Sequence, residues 1–197
     1  MKKHLLSLTA FCVMMLSLAP LEAKGALRVD IMNPGQNTVN LALASPLTGP
    51  DRQATGMGAQ LQKIVEQNLS FLPFVRLTDP RAVLGGTVLN AWEPPALDFK
   101  RFQIAGSDIL ITTYWPKGDS GTAPVQMRAF ETNSGGRLFG KEYPRVNAGD
   151  LPEVADRFCA DLLEALTGNG DFFRSTLAFI KKSGKMAANV WLVKPTG

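Results

Sequence analysis

Asp108-Ile109-Leu110-Ile111-Thr112-Thr113-Tyr114-Trp115 is the stretch on which the fold turns. Its β-branched and aromatic residues suit an extended chain, and the run Ile109-Leu110-Ile111 leaves no polar alternate position. A strand that is apolar on both sides is covered on both faces, so this segment is expected in the middle of a sheet. Immediately after it, Val125 to Thr132 and Arg137 to Tyr143 alternate apolar and polar residues around Asn133-Ser134-Gly135-Gly136, a four-residue polar turn that fits a hairpin.

Before the central strand the signals are shorter. Thr38-Val39-Asn40-Leu41-Ala42-Leu43 reads as a strand, closed by Ser45-Pro46 and Gly49-Pro50. Leu27-Arg28-Val29-Asp30-Ile31 alternates like a short edge strand and ends at the turn residues Asn33-Pro34-Gly35. Phe74-Val75-Arg76-Leu77 is a brief extended piece ahead of Asp79-Pro80, and Leu97 to Ile104 reads as a short helix. The glycine- and proline-rich stretch from Gly85 to Pro95 carries no assignable pattern.

Two long helices accompany the strands. Ala54, Met57, Leu61, Ile64, Val65 and Leu69 recur at three- and four-residue spacing, with Asp51 as the expected N-cap and an end near Ser70. Asp150-Leu151-Pro152-Glu153 opens the second helix in the manner of a capping box, with proline in the first turn, where no donor is lost. Leu151, Val154, Ala155, Phe158, Leu162 and Leu166 form its apolar stripe, Asp156, Arg157, Asp161 and Glu164 its expected wet face, and Gly168 stops it. Thr176 to Lys182 and Asn189 to Lys194 close the chain as a strand pair about Ser183-Gly184-Lys185. The fold class is α+β: two long helices packed on a mixed sheet in two layers, plus a terminal strand pair.

The first 23 residues read as a targeting segment. Met1-Lys2-Lys3-His4 is a positive start, Leu5 to Leu18 is an apolar run, and a cut is expected after Ala23. The run is shorter than the roughly 20 residues needed to span a bilayer, so an exported product is expected. Roughly 170 residues then remain, enough for one compact domain of about 100 to 200 residues. Phe11 before Cys12 is too bulky for a lipid-attachment motif, and Cys159 is left as a single thiol, so no internal disulfide is expected. With a formal net charge of +4 and scattered basic residues, no nucleic-acid surface is expected.

Chemistry is constrained by the one histidine, His4, which lies in the segment expected to be removed. Gly118-Asp119-Ser120-Gly121 copies a serine-protease nucleophile string, but a serine needs a base within hydrogen-bond reach, and nothing places Lys117 or Lys141 for that role. It reads as a solvent-facing turn. Gly56-x-Gly58 lacks the third glycine and the lysine of a phosphate loop and reads as close packing of the helix on the sheet. Asp156 and Asp161, five apart on a helix, point away from each other and read as surface charges rather than an acid/base pair. Cys159 at the border of the apolar stripe reads as a buried, inert thiol. Trp92 and Trp115 read as core or rim, and Trp191 on the terminal strand is a candidate for packing outside this domain. No enzyme, metal site, cofactor or small-molecule substrate is expected.

Several ordered segments carry a resemblance. Val154-Ala-Asp-Arg-Phe-Cys-Ala-Asp-Leu-Leu-Glu-Ala-Leu-Thr-Gly168, followed by Phe173-Arg174-Ser175-Thr176-Leu177-Ala178-Phe179-Ile180, resembles the TolB N-terminal domain family of the periplasmic Tol-Pal system. Leu27 to Ile31, the strand entry Ala105 to Ile111, and Leu69 to Pro80 match in the same order. Asn169-Gly170-Asp171 and Thr176 depart from the family pattern, and the histidine usual shortly before Ala155 is absent. The resemblance implies a two-layer domain akin to anticodon-binding domains, and a non-enzymatic adaptor in an envelope-integrity and import system. It divides the chain into a signal peptide at 1–23, the α/β domain at 24–168, and a strand pair at 169–197 that leads toward a β-propeller. In that family the N-terminal segment docks on TolA, so Leu27, Arg28, Val29, Asp30 and Ile31 are the expected partner-binding residues. A short strand near a free terminus can join another sheet's edge by main-chain bonds. Pal engagement, which the family assigns to the propeller, is not expected of these residues. The alternative is another envelope binding module on the same fold, similar to the activators of peptidoglycan synthases.

Overall fold

The computed structural model describes residues 38–49, 52–182 and 188–196. The expected signal peptide and the Leu27 to Ile31 strand lie outside the described residues. Within them, β1 (Val39–Leu43), β2 (Leu47–Gly49), β3 (Arg52–Gln53), α1 (Met57–Ser70) and β4 (Val75–Leu77) are followed by α2 (Lys100–Ile104), β5 (Ile109–Tyr114), β6 (Ala123–Glu131) and β7 (Arg137–Val146). The chain ends in α3 (Leu151–Thr167), α4 (Asp171–Arg174), β8 (Leu177–Lys182) and β9 (Ala188–Val193).

β5 is central, as its composition requires. β1 runs parallel to its first half, Leu41 to Leu43 against Ile109 to Ile111, while β6 lies antiparallel along its whole length. β4 extends the sheet beyond β1 in parallel, β7 extends it beyond β6, and β2 joins β5 at Tyr114 and carries β3. The sheet is mixed, with its parallel part built by chain that crosses over through α1 and through the long 78–107 connection.

Both faces are covered. Ile109 and Ile111 point into the larger core with Leu61, Val65 and Leu69 of α1 and Val154, Phe158 and Leu162 of α3. Leu110, between them, points the other way into a second cluster with Phe102, Phe130, Leu89 and Leu97. The Gly85 to Pro95 stretch and its neighbours therefore act as a lid of loop and short helix over the second face, a third partial layer that the two-layer reading did not include.

Helix boundaries shifted for identifiable reasons. α1 begins at Met57 rather than beside Asp51, because Arg52–Gln53 is occupied as a strand against β2. Its first turn is capped across space by the Gly118-to-Gly121 turn: the amides of Gly56 and Gly58 donate to Asp119 Oδ2 at 2.6 and 3.2 Å, and that of Met57 to the Asp119 carbonyl at 3.2 Å. At α3 the capping box lies one turn earlier than expected. The Gly149 amide donates to Asn147 Oδ1 at 2.8 Å, and the Asn147 amide donates to Asp150 Oδ2 at 3.0 Å, within a 3₁₀ turn at Ala148–Asp150. Gly168 ends α3 in the left-handed conformation, φ 84°, which glycine adopts without cost.

Candidate functional site

A concentration of charged side chains lies where β7, α3, α4 and the tail after β9 meet. A cleft of about 380 Å³ is lined there by Lys141 and Tyr143 of β7, Asp156 and Asp161 of α3, Arg174 of α4, and Lys194. Asp161 Oδ2 pairs with Lys141 Nζ at 3.3 Å, and its Oδ1 accepts from Arg174 Nη2 at 3.0 Å. The same Arg174 nitrogen reaches Glu164 Oε2 at 2.6 Å. Arg174 thereby ties α4, and the start of the β8–β9 hairpin, back onto α3.

Asp156 holds the other end. It is 7% exposed, a correction to its expected place on the wet face. Its Oδ1 accepts from Asn68 Nδ2 of α1 at 3.0 Å and from Thr196 Oγ1 at 3.3 Å, and its Oδ2 accepts from Lys194 Nζ at 3.3 Å. A carboxylate this poorly hydrated is tolerable because its lone pairs are taken up by donors and a cation. Asp156 and Asp161 point apart around the helix, as their spacing requires, yet both line one cleft. Each anchors one of the two strands at the base of the terminal hairpin, where Leu177 pairs with Val193, rather than sitting idle at the surface.

The link between α3 and α4 is built for a tight return. Thr167 Oγ1 donates to the Leu163 carbonyl at 2.8 Å and accepts from the Asn169 amide at 3.2 Å, and the Asp171 amide donates to Asn169 Oδ1 at 2.7 Å. A Cβ on Gly170 would overlap the Ala160 carbonyl, so the backbone comes closer there than any side chain permits.

The titratable groups near the cleft lack nucleophilic character. Burial pushes the Cys159 thiol well above the usual thiol range, with the nearby Asp156 charge adding to the shift. Burial, then the charges of Asp161 and Cys159, likewise raise the Tyr143 phenol. Both stay protonated near neutral pH, and the carboxylates are committed to ion pairs. Cys159 is fully buried, in line with its reading as an inert thiol. Among the described residues no group of three His, Cys, Asp or Glu side chains is placed to hold a metal ion.

The expected partner-binding residues, Leu27, Arg28, Val29, Asp30 and Ile31, fall outside the described residues, so their placement relative to this cleft is not defined. Of the glycines at 56 and 58, the second shows the expected close packing, since a Cβ on Gly58 would overlap Ala54 and press within 3.1 Å of Trp115 Nε1 and 3.2 Å of Pro46, while Gly56 faces the Asp119 cap. Sequence reasoning missed the clamp because the donors on Asp156 come from Asn68 and the chain end, which no local spacing brings together.

No protein-family model matches the chain. The chain is 53% identical over 176 residues to the Tol-Pal system protein TolB of Nitratidesulfovibrio vulgaris, a match covering 89% of this chain and 40% of that protein. It carries a TolB N-terminal domain. The TolB of Syntrophotalea carbinolica is 27% identical over 78% of the chain and 35% of its own length. The crystal structure of TolB from Acinetobacter baumannii superposes with a TM-score of 0.61, at 15% identity, over 87% of this chain and 39% of that one. The α+β architecture is thus a TolB fold, and the chain spans about two-fifths of the length of the TolB proteins it matches. Among the described residues no helix is long and apolar enough to cross a membrane.

Proposed function

We propose that this chain is a periplasmic, non-enzymatic adaptor of the Tol-Pal system that works through protein contacts. The observation that carries this reading is the 53% identity to a TolB protein, sustained over nearly nine-tenths of the chain. A cleft whose charges are spent on one another, beside a thiol and a phenol that burial keeps protonated, favours a scaffold over a catalyst. Residues 1–23 act as a cleaved export signal, 24–168 as the adaptor domain, and 169–197 as a hairpin clamped onto it.

In this reading Leu27, Arg28, Val29, Asp30 and Ile31 bind a TolA-like partner by adding a strand to its sheet, with alternate side chains choosing the partner. The test is co-precipitation from a periplasmic extract, using the processed chain and the chain lacking 24–31. Recovery of a Tol-Pal component by the first and not the second supports the reading. Equal recovery by both removes the strand from the account, and recovery of no Tol-Pal component by either removes the adaptor role.

A further inference from the structure

β6 also builds a charged cleft on the face of the sheet turned away from α3. Met127 and Ala129 enter the larger core, so Arg128 and Phe130 point the other way, and Phe130 joins the second cluster beneath the lid. The cleft there, about 330 Å³, is lined by Glu93 and Pro94 of the lid, by Arg128 and Phe130 of β6, by Gly135 of the hairpin turn and by Arg137 of β7. Arg128 is the member that the fold leaves unsatisfied. Its side chain is 15% exposed, and its Nη2 donates to Gln126 Oε1 at 3.0 Å and pairs with Glu93 Oε2 at 3.2 Å. Its Nη1 is buried and has no hydrogen-bond partner among the described residues. Buried donors are nearly always met, and a guanidinium cannot shed its charge, so this edge of Arg128 calls for an acceptor. Arg137 converges on the same place. A Cβ on Gly140 would stand 3.2 Å from Arg128 Cγ and 3.6 Å from Arg137 Cδ, so both stems cross the space that this glycine leaves.

We propose that this cleft binds a carboxylate carried by a peptide, with Arg128 and Arg137 as its two cationic contacts. The lining holds two guanidiniums against one carboxylate, Glu93, an excess of one positive charge that a single carboxylate balances. A phosphate dianion would overshoot that balance and face Glu93 at close range. The guanidinium fork matches a planar carboxylate, and the Nη1 donor of Arg128 is held in place by the two acceptors already on Nη2. Pro94 and the Phe130 ring add an apolar wall for the neighbouring side chain of the peptide. Few polar groups set in an apolar lining are the usual make-up of a small binding site. The site uses none of Leu27 to Ile31 and stands apart from the strand contact proposed above.

The test is a titration of the processed chain, followed by nitrogen–proton NMR, with acetyl-Ala-Ala-Leu as the free acid, the same peptide as its amide, and acetyl-Ala-Glu-Leu amide. Saturable shifts of the Gly140 amide and the Arg128 side chain are expected with the free acid or the glutamate peptide, and none with the plain amide; which of the two acids binds tells a chain end from an acidic side chain. Arg128→Lys keeps the charge and loses the fork, so affinity is expected to fall roughly tenfold. Glu93→Gln changes an exposed residue and removes the competing charge, so affinity is expected to rise, a gain that a purely structural ion pair does not produce. Deletion of 24–31 is expected to leave binding unchanged. The proposal is overturned by no saturable shift with either acid, by equal binding of the plain amide, by weaker binding in Glu93→Gln, or by inorganic phosphate binding more tightly than both acids.

Discussion

The carboxylate of Asp119 sits over the first turn of α1 and accepts the Gly56 amide at 2.6 Å. A string that resembles a protease nucleophile motif in one dimension is, in three, an N-cap supplied from 63 residues away. The start of α1 has no capping side chain of its own, so the Gly56 and Gly58 amides depend on this carboxylate.

Asp119→Ala is expected to destabilise the fold by about 1 kcal/mol, the usual cost of a lost N-cap, with Asp119→Asn retaining most of the stability. Ser120→Ala is expected to change it little. Urea denaturation followed by circular dichroism measures all three, and a larger loss from Ser120→Ala than from Asp119→Ala contradicts the capping role.

Gly58→Ala separates packing from propensity. Helix propensity alone favours alanine by about 1 kcal/mol, but the added methyl overlaps Ala54 and crowds Trp115 and Pro46, which costs about 1–3 kcal/mol. Net destabilisation is the expected sign, read from the thermal midpoint. A rise in that midpoint means that the helix has room to retreat from the sheet.

Asp156→Ala leaves a buried amide donor on Asn68 without its acceptor, a loss of about 1–3 kcal/mol. The half-exposed Lys194 pair adds little of its own, as solvent-screened pairs do. The sharper readout is local: amide hydrogen exchange of β9 is expected to accelerate more than that of β5. Uniform acceleration of both strands is the result that contradicts a clamp on the hairpin.

Burial raises both the Cys159 thiol and the Tyr143 phenol above their unfolded values, so the folded chain holds these protons more tightly. Their contribution is fully present below the ordinary thiol range and is lost progressively as pH rises through and beyond about 8.5 to 10. Denaturation midpoints are expected to fall steadily across this alkaline window. Tyr143→Phe is expected to be neutral at pH 7, since its hydroxyl has no hydrogen-bond partner among the described residues, and to flatten part of the alkaline fall. A slope unchanged in the Cys159→Ala/Tyr143→Phe double variant contradicts this assignment.

Much of the fold is legible from local pattern. The run Ile109-Leu110-Ile111 announces a strand covered on both faces, and the stripe from Leu151 to Leu166 announces the helix it faces; both lie where the pattern puts them. What escapes the sequence is whatever depends on distant partners. Asp51 looks like a cap because aspartate before an apolar period usually is one, yet the cap comes from Asp119. Asp156 looks wet because its charge groups it with Arg157, Asp161 and Glu164 off the apolar stripe, yet Asn68 and Lys194 converge on it. Glycine-rich sequence from Gly85 to Pro95 hides a lid whose few apolar anchors, such as Leu89, have no periodicity to reveal them.

The central claim, that this TolB-type domain acts by binding a Tol-Pal protein, is tested most directly by calorimetric titration of the processed chain with the periplasmic domain of TolA. Saturable binding that vanishes on deletion of Leu27 to Ile31 is the expected result. Absence of heat at any concentration, with the same chain folded by circular dichroism, contradicts it.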